Sequence, residues 1–476
     1  MKFFATTIYI LTTVLTHPLS AAYFGNGMKI GEVNQGSAII WTRLTQTPQF
    51  NMQGHMFIEF EAGKDERGRD QKGSRYPEGA KLEDMAFSLM GAHGDVRITY
   101  WPDGDLNKVE TQWLAVDPEK DFTLQRELKN LKPNTSYQVA ISGRRPGGQI
   151  TSLVRGQFKT APDSEDAAEV AFTVVTCHDF NRRDELANGH RIYPSMALLV
   201  KPDFLVHAGD IEYYDKPNPW ARNVELARYK WNRIFALPYQ RDFYRQTAAY
   251  FIKDDHETLK NDSWPGQTYG DLTWEQGLAL YREQVPMGEK TYRTVRWGKD
   301  LQIWMVEGRD FRSPNTMPDG PDKTIWGEEQ KAWFFKTFSE SDATFKVLIS
   351  PTPIVGPDRE SKTDNHSNKV FAWEGNQIRE FLSSHKNVFV ACGDRHWQYA
   401  TVDPKTGVRE FSVGPGSDIH AGGFKESLKT EAHKYLRIKG GFLSVSVERA
   451  KGTPQINFTH HDVHGTIQHR ETFLSE

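Results

Sequence analysis

The sequence predicts an α/β (α+β) protein made of an N-terminal β-sandwich and a larger second domain. Its 476 residues exceed the roughly 250 to 300 residues at which single hydrophobic cores usually stop growing. Residues 23–162 show short alternating strands without a long helical period, which is typical of a sandwich. Over residues 168–476, apolar strands alternate with helical stretches, and this order predicts an α/β core.

Residues 1–22 are predicted to be a secretory signal peptide. Lys2 precedes a short apolar stretch that ends at Leu15, and Ser20 to Ala22 supply small residues for cleavage. No twin arginine precedes the stretch, so the Sec route is favoured and we expect a secreted or periplasmic protein. No later segment approaches about 18 uninterrupted apolar residues, so we expect no transmembrane span in the mature protein.

The remaining elements follow from hydrophobic period and turn residues. Strands of the first domain are predicted at residues 36–44, 96–101 and 135–141. The charged, Gly-rich segment 64–81 predicts an exposed loop, and 162–166 predicts a linker. Helices are predicted over 274–284, 328–338 and 377–382, and strands return at 442–447 and 455–460.

The charge balance does not support binding to polyanionic partners. Lys+Arg number 59 against Asp+Glu 62, a formal net charge of -3, which gives no electrostatic case for nucleic acid or an anionic membrane surface. Any acidic substrate must therefore be held locally.

Cys177 and Cys392 are the two cysteines of the chain. In an exported protein the simplest expectation is one disulfide. Cys177 is followed by His178 and Asp179, however, a setting that favours a metal-bound thiolate, and we interpret Cys392 as core filling.

Five apolar runs end in residues able to bind metal, move protons or hold an anion. The groups that follow the runs are Cys177-His178-Asp179, Gly209-Asp210 with Tyr213, Asp254-Asp255-His256-Glu257, Glu307-Gly308-Arg309-Asp310 and Gly393-Asp394-Arg395-His396. Because α/β folds place ligands at the ends of their strands, we expect these groups to converge on one metal cluster.

Hydrolysis of a phosphate ester needs neutralised non-bridging oxygens, an activated water and a proton for the leaving group. Two metal ions meet the first two needs, and a carboxylate can bridge them; we predict Asp210 as the bridge. Cys177 and Tyr213 would add two anionic ligands on one side, which favours a ferric-type ion. The predicted ligands of the second ion are Asp255, Asp394 and His396, with Asp254 as an alternative; this set tolerates calcium or another divalent metal.

Other residues are predicted to act on the substrate. His256 would protonate the departing oxygen, and Arg309 would clamp an anion, the alternative being a surface ion pair with Asp310. Asn261, Asn365 and His366 follow strand ends in loops and are candidates for substrate contacts. Three candidate ligands also have a purely structural interpretation: Asp210 and Asp394 could be turn residues, and Tyr213 could be a packed side chain.

The second domain resembles the calcineurin-like metallophosphatases, and within them the PhoD-like alkaline phosphatase family. The resemblance rests on Cys177, Gly209-Asp210 with Tyr213, Asp254-Asp255-His256-Glu257 and Gly393-Asp394-Arg395-His396, and residues 39–44 resemble the family's N-terminal sandwich. It implies a catalytic domain with a central β-sandwich flanked by helices, iron and calcium as cofactors, and phosphomonoester or phosphodiester hydrolysis.

Arg395 departs from the family pattern, in which a small or aliphatic residue is usual. We therefore count Arg395 among the candidate substrate-binding residues, and it leaves a second hypothesis open, hydrolysis of sulfate esters on sulfated glycans. A third hypothesis is a non-catalytic protein whose sandwich binds a surface.

Overall fold

The computed structural model describes residues 21–64 and 68–476. All but the last two residues of the predicted signal peptide lie outside this range. Within the described residues, no helix combines the length and apolar character needed to cross a bilayer.

The described residues form 25 strands. In chain order they are β1 (Met28–Gly31), β2 (Ala38–Arg43), β3 (Ile58–Lys64), β4 (Asp70–Arg75), β5 (Asp95–Pro102), β6 (Val109–Glu110), β7 (Leu114–Ala115), β8 (Thr123–Leu128), β9 (Ser136–Arg144), β10 (Ile150–Lys159), β11 (Val170–Val175), β12 (Phe204–Ala208), β13 (Ala248–Ile252), β14 (Thr268–Tyr269), β15 (Leu272–Thr273), β16 (Arg293–Trp297), β17 (Leu301–Met305), β18 (Phe345–Ser350), β19 (Val388–Cys392), β20 (Gln398–Val402), β21 (Arg409–Val413), β22 (His433–Arg437), β23 (Phe442–Ala450), β24 (Thr453–His461) and β25 (Ile467–Leu474).

The helices lie mainly between the strands of the second half. The α-helices are α1 (Ile192–Ser195), α2 (Val224–Phe235), α3 (Pro238–Tyr244), α4 (Trp274–Gln284), α5 (Gly327–Glu340) and α6 (Ala372–Ser383), and a π-helical turn, Met196–Val200, continues α1. Short 3-10 turns lie at Leu82–Asp84, Pro118–Lys120, Phe180–Arg182, Lys369–Phe371, Asp418–His420 and Glu426–Leu428. Helices α4, α5 and α6 confirm the three predicted helices, whereas α2 and α3 were not predicted.

Two large sheets form the central sandwich. The first has nine strands in the order β25-β24-β23-β11-β12-β13-β1-β2-β8, and the second has seven in the order β16-β17-β18-β19-β21-β20-β22. Their inward-facing apolar side chains belong to one core. Phe411 of the second sheet, for example, stacks on Phe458 of the first with 4.2 Å between ring centroids. The predicted sandwich flanked by helices is confirmed.

The N-terminal strands are continuous with this architecture. Strand β1 pairs in parallel with β13, so β1, β2 and β8 extend the nine-stranded sheet. Strands β5, β6, β7, β9 and β10 form a separate five-stranded sheet over the same core. The division of the chain into 23–162 and 168–476 stays a prediction, since hydrogen bonds between strands cross it.

The predicted exposed loop at 64–81 is wrong in part. Strands β3 and β4 form a two-stranded hairpin there, and most of its side chains are exposed. Strand β4 contains no large apolar residue, so the period-2 signal of a half-buried strand is missing there, although Ile58, Phe60 and Ala62 of β3 do alternate with polar residues.

The contact between the two large sheets can be tested by deleting one ring. Phe411→Ala should lower the free energy of unfolding by about 3 to 5 kcal/mol, because it leaves a cavity between packed sheets. Urea denaturation measures this change. Leu106→Ala, at a side chain that is 92% exposed, should change it by less than about 0.5 kcal/mol; equal small effects would contradict the packing.

Candidate metal centre

Three adjacent parallel strands bring the first ligands to one edge of the nine-stranded sheet. Strands β11, β12 and β13 pair in register, with Val175 opposite His207 and Ala208 opposite Ile252. Cys177, Asp210 and Asp254 therefore leave the sheet at the same edge, since the carboxyl ends of parallel strands coincide.

The seven-stranded sheet supplies the remaining ligands from β19. Gly393 follows this strand and packs so closely on the first sheet that an added Cβ would lie 2.2 Å from Ala208 O. Only glycine fits such a close backbone approach. The close approach places Asp394 beside Thr176, whose Oγ1 accepts a hydrogen bond from Asp394 N at 3.3 Å.

Three of the ligand residues have left-handed backbone conformations. Their φ values are 57° at Cys177, 56° at Asp210 and 62° at Asp394, each of which costs roughly 1 kcal/mol or more for a residue with a Cβ. Glu257 holds the turn at Asp210, because its carboxyl group accepts from Asp210 N at 3.2 Å and from Ile211 N at 3.3 Å. The strained backbone conformations therefore occur at the residues whose side chains converge on the candidate metal centre.

Asp210 lies at the centre of the site. It belongs to three groups whose ligand atoms all lie within 4.8 Å of one another: Cys177, Asp210 and His396; Asp210, Asp255 and His256; and Asp210, Asp254 and Asp394. Tyr213 joins the first group, with its hydroxyl donating to Asp210 Oδ2 at 2.9 Å and lying 3.5 Å from His396 Nε2. His396 thus lies on the Cys177 side, which differs from the division expected from the sequence, whereas Asp254, the expected alternative ligand, groups with Asp394.

The residues present fit bound cations. One carboxylate oxygen on each of three aspartates is buried and lacks a hydrogen-bond partner among the described residues; these are Asp210 Oδ1, Asp254 Oδ2 and Asp255 Oδ1. Burying an unpaired anionic oxygen costs free energy unless a cation compensates it. Without one, burial raises the pKa of Asp210 to about 6, with the neighbouring Asp255 adding to the rise.

The thiol and phenol of the site also depend on a cation for their anionic forms. Burial, followed by the negative charge of Asp210, raises the pKa of Cys177 well above its usual value, and the same causes raise the pKa of Tyr213. A coordinated metal deprotonates such groups. Neither cysteine forms a disulfide and both are buried, so the disulfide alternative is wrong.

Arg309 supplies fixed positive charge at the edge of the cluster. Its Nε lies 2.5 Å from Asp254 Oδ1 and its Nη2 lies 3.6 Å from Asp255 Oδ2, in a fully buried setting. Asp310 pairs instead with Lys253, at 2.7 Å, so the alternative of a surface Arg309–Asp310 pair is wrong. Arg309 offsets part of the carboxylate charge.

His256 is oriented by an acid that the sequence analysis missed. Its Nδ1 lies 2.6 Å from Asp215 Oδ1, and its ring lies 4.3 Å from that of Tyr213. Burial lowers the pKa of His256, but Asp215, Asp255 and Asp210 outweigh that effect and raise it to about 10. The imidazole is therefore held in its charged form beside the cluster. The signal for Asp215 was its place two residues after Tyr213, in the same strand-end loop.

The four predicted substrate residues occupy different positions. Arg395 is buried and contacts two carboxylates, Asp394 and, at 2.8 Å, Asp358 Oδ2. Asn365 donates to the same Asp358 oxygen at 2.9 Å. Asn261 is exposed, and its backbone N–H donates to Asp215 Oδ2 at 2.9 Å. Their predicted roles stay predictions.

His366 lies apart from the metal centre. Its Nε2 is 2.9 Å from Glu374 Oε2, and both side chains are buried. This pairing accounts for the histidine structurally, and its predicted contact with substrate stays a prediction.

His420 was also missed by sequence reasoning. Its ring lies 4.1 Å from that of His396 and 5.3 Å from that of Tyr213, and its Nδ1 is 3.1 Å from Cys177 O. Burial lowers the pKa of His420 to about 4, so it is a neutral ring beside the ligands. It follows no apolar strand end, and nothing local in the sequence marks it.

A sandwich with ligands at the ends of strands from both sheets defines the class of metallophosphatases. Two solved structures share the fold. One is "Structure of PhoD", with a TM-score of 0.71 and 16% sequence identity; the match covers 95% of this chain and 90% of that chain. The other is the purple acid phosphatase PPD1 from yellow lupin (Lupinus luteus) seeds, with a TM-score of 0.62 and 12% identity; the match covers 94% of this chain and 73% of that chain.

Within that class, the sequence model of the PhoD-like phosphatases matches residues 172–469, and the chain belongs to this family. A curated relative is alkaline phosphatase D from Bacillus subtilis (strain 168), 22% identical over 386 residues. The match covers 67% of this chain and 62% of that relative, so it spans less than two thirds of the relative's length. The family expected from the sequence motifs is confirmed.

Removing the shared ligand should abolish metal loading. In Asp210→Ala, metal bound per chain after native purification should fall at least about tenfold, because three ligand groups lose their common member. Elemental analysis measures the loss. Asp342→Ala, at a side chain that is 82% exposed, is the matched control; a metal content unchanged in both variants would remove Asp210 from the centre.

Proposed function

We propose that the protein is an exported metal-dependent phosphoric ester hydrolase whose metal cluster is bridged by Asp210. The observation that carries this proposal is the sharing of Asp210 among three ligand groups with buried, unpartnered oxygens. Family membership supports the reaction type. Export rests on the signal-peptide pattern of residues 1–22.

The ligand groups on the two sides of Asp210 differ in their ligand atoms. Cys177, Tyr213 and His396 with Asp210 would hold one ion, and the thiolate and phenolate favour ferric iron there. Asp254 and Asp394 with Asp210 would hold the second, with Asp255 nearby; this oxygen-rich set suits calcium or another divalent metal. When bound, the ions neutralise the phosphate oxygens and activate water.

His256 supplies the proton for the leaving oxygen. Its Nδ1 is engaged by Asp215, which fixes the ring and leaves Nε2 as the nitrogen that can act toward the cluster. His256 lies in the same ligand group as Asp210 and Asp255, so the proton is delivered where the ester oxygen departs. Asp215 is a positioning residue in this scheme.

Arg309 has a role in holding the carboxylates. It contacts Asp254 and Asp255, and its Nη2 lacks a hydrogen-bond partner among the described residues. A buried guanidinium with an unused donor can bind an oxygen of a tetrahedral anion, which supports the predicted clamp.

The ester is proposed to be a phosphate, as monoester or diester. Arg395 was the residue that favoured a sulfate ester, and its guanidinium contacts Asp358 and Asp394. Because two carboxylates already neutralise the Arg395 guanidinium, it would contribute little to the binding of a sulfate ester. The family match likewise supports catalysis over a purely surface-binding role.

Hydrolysis of 4-nitrophenyl phosphate by metal-loaded protein is the direct test. Asp210→Ala should lower kcat at least about 1000-fold, because bound metal supplies several kcal/mol of charge stabilisation. His464→Asn, at an exposed histidine, should leave the rate unchanged. Failure of the loaded wild-type protein to cleave aryl phosphates or bis-aryl phosphates, or faster cleavage of 4-nitrophenyl sulfate, would contradict the proposal.

The role of His256 is tested by varying the leaving group. His256→Asn should lower kcat on an alkyl phosphate about 100-fold, since an alkoxide must be protonated as it leaves. On 4-nitrophenyl phosphate the loss should stay below about tenfold, because nitrophenolate leaves without a proton. Equal losses on both esters, or loss of bound metal, would show that His256 acts as a ligand.

A further inference from the structure

A cavity of about 380 Å³ lies beside the metal centre, and Asp215 belongs to its wall. The Asp215 carboxylate has His256 Nδ1 at 2.6 Å from one oxygen and Asn261 N at 2.9 Å from the other. Asn261 also lines the cavity, and the next residue, Asp262, donates its N–H to Asp255 Oδ2. The cavity therefore begins one side chain away from the proton donor.

The exposed hairpin β3–β4 forms the opposite wall. It joins neither large sheet and is held on the site loop by side-chain contacts. Trp220 N donates to Ser74 Oγ at 3.0 Å, and Tyr76 Oη donates to Glu225 Oε2 at 2.6 Å. The hairpin thus has a fixed position over the loop that carries Asp215.

The cavity has a surplus of positive charge. Lys72 and Lys260 line it, and within the described residues Lys260 Nζ has no ion pair while Lys72 Nζ lies 3.8 Å from Glu59 Oε2. Its two acids are compensated, Asp215 by His256 at 2.6 Å and Asp70 by Lys64 at 3.0 Å. A lining of this kind binds an anion.

Aromatic side chains complete the lining. Trp220 and Tyr269 both face the cavity, and Trp220 Nε1 is a buried donor without a hydrogen-bond partner among the described residues. An unsatisfied buried donor costs about 1 to 3 kcal/mol unless a ligand accepts from it. Aromatic rings next to cations are the features that bind a planar base and its phosphate.

We propose that this cavity is a subsite for the alcohol part of the ester, selecting alcohols that carry a planar ring and a second phosphate, as in a nucleoside bisphosphate. The role of this subsite in catalysis rests on the proposed function. The ring packs against Trp220 and Tyr269, the second phosphate pairs with Lys72 and Lys260, and the scissile phosphate lies at the metal centre past His256.

The test compares esters that differ in these two features. Metal-loaded protein is assayed with adenosine 3′,5′-bisphosphate, adenosine 5′-monophosphate and 4-nitrophenyl phosphate. In the double variant Lys72→Ala/Lys260→Ala, the ratio of kcat/KM for the bisphosphate to that for 4-nitrophenyl phosphate should fall about tenfold. In Trp220→Leu, the same ratio should fall about fivefold or more for both adenosine esters.

Lys129→Ala/Lys386→Ala removes the same charge at side chains that are 69% and 76% exposed and should leave all three rates unchanged. If the wild type cleaves the esters but the ratios do not move in either cavity variant, the subsite is overturned and the proposed function stands.

If the wild type cleaves none of the esters, a binding measurement distinguishes failure of the subsite from failure of the proposed function. Calorimetric titration with adenosine 3′,5′-bisphosphate should then show binding that weakens about tenfold in Lys72→Ala/Lys260→Ala. That result would retain the cavity as a binding site while the proposed function fails. Equal affinity in wild type, cavity variant and control variant would overturn the subsite.

Discussion

The structure depends on the convergence of buried carboxylates at the ends of strands from two sheets. Asp210, Asp254 and Asp394 have ligand atoms within 4.8 Å of one another. Two like charges about 4 Å apart repel by roughly 4 kcal/mol at an effective dielectric constant of about 20. Arg309 offsets part of this repulsion, and bound cations or protonation of a carboxyl group would relieve the remainder. The left-handed turns, the Gly393 contact and the buried Glu257 all maintain an arrangement that is unfavourable without bound metal.

The sequence could predict the residues that follow apolar strands. Cys177, Asp210, Asp254 and Asp394 are each the second residue after a strand, and Asp255 is the third. Parallel pairing of β11, β12 and β13 brings the ends of these three strands together. How these residues divide around Asp210 could not be predicted, because it depends on the contact between β19 and the first sheet. His420 comes from a short 3-10 turn and has no local signal of this kind.

Buried charge also characterises α2, one of the helices that were not predicted. The buried face of α2 contains Lys230 and Arg233, whose cations lie 3.8 and 3.3 Å from Glu212 Oε1. The apolar residues Ala227, Trp231 and Phe235 of the same helix are also buried at helical spacing, so the periodic signal of an amphipathic helix was present in the sequence. Glu212 precedes Tyr213, so these ion pairs also hold the loop that carries a candidate ligand of the metal centre.

The N-terminal region contributes to the site because it is held against β13 and α2 of the second region. Strand β1 pairs with β13, and Arg43 and Asn232 both contact Asp121 at 2.8 and 2.9 Å in the buried interface. These interactions hold the first part of the chain in a set position against α2. The β3–β4 hairpin belongs to that part, and its Lys72 lines the same cavity as Asp215. In the proposed subsite, selection of the alcohol group therefore depends on both regions of the chain, because its lining residues come from the hairpin and from the loops around Asp215 and Asn261.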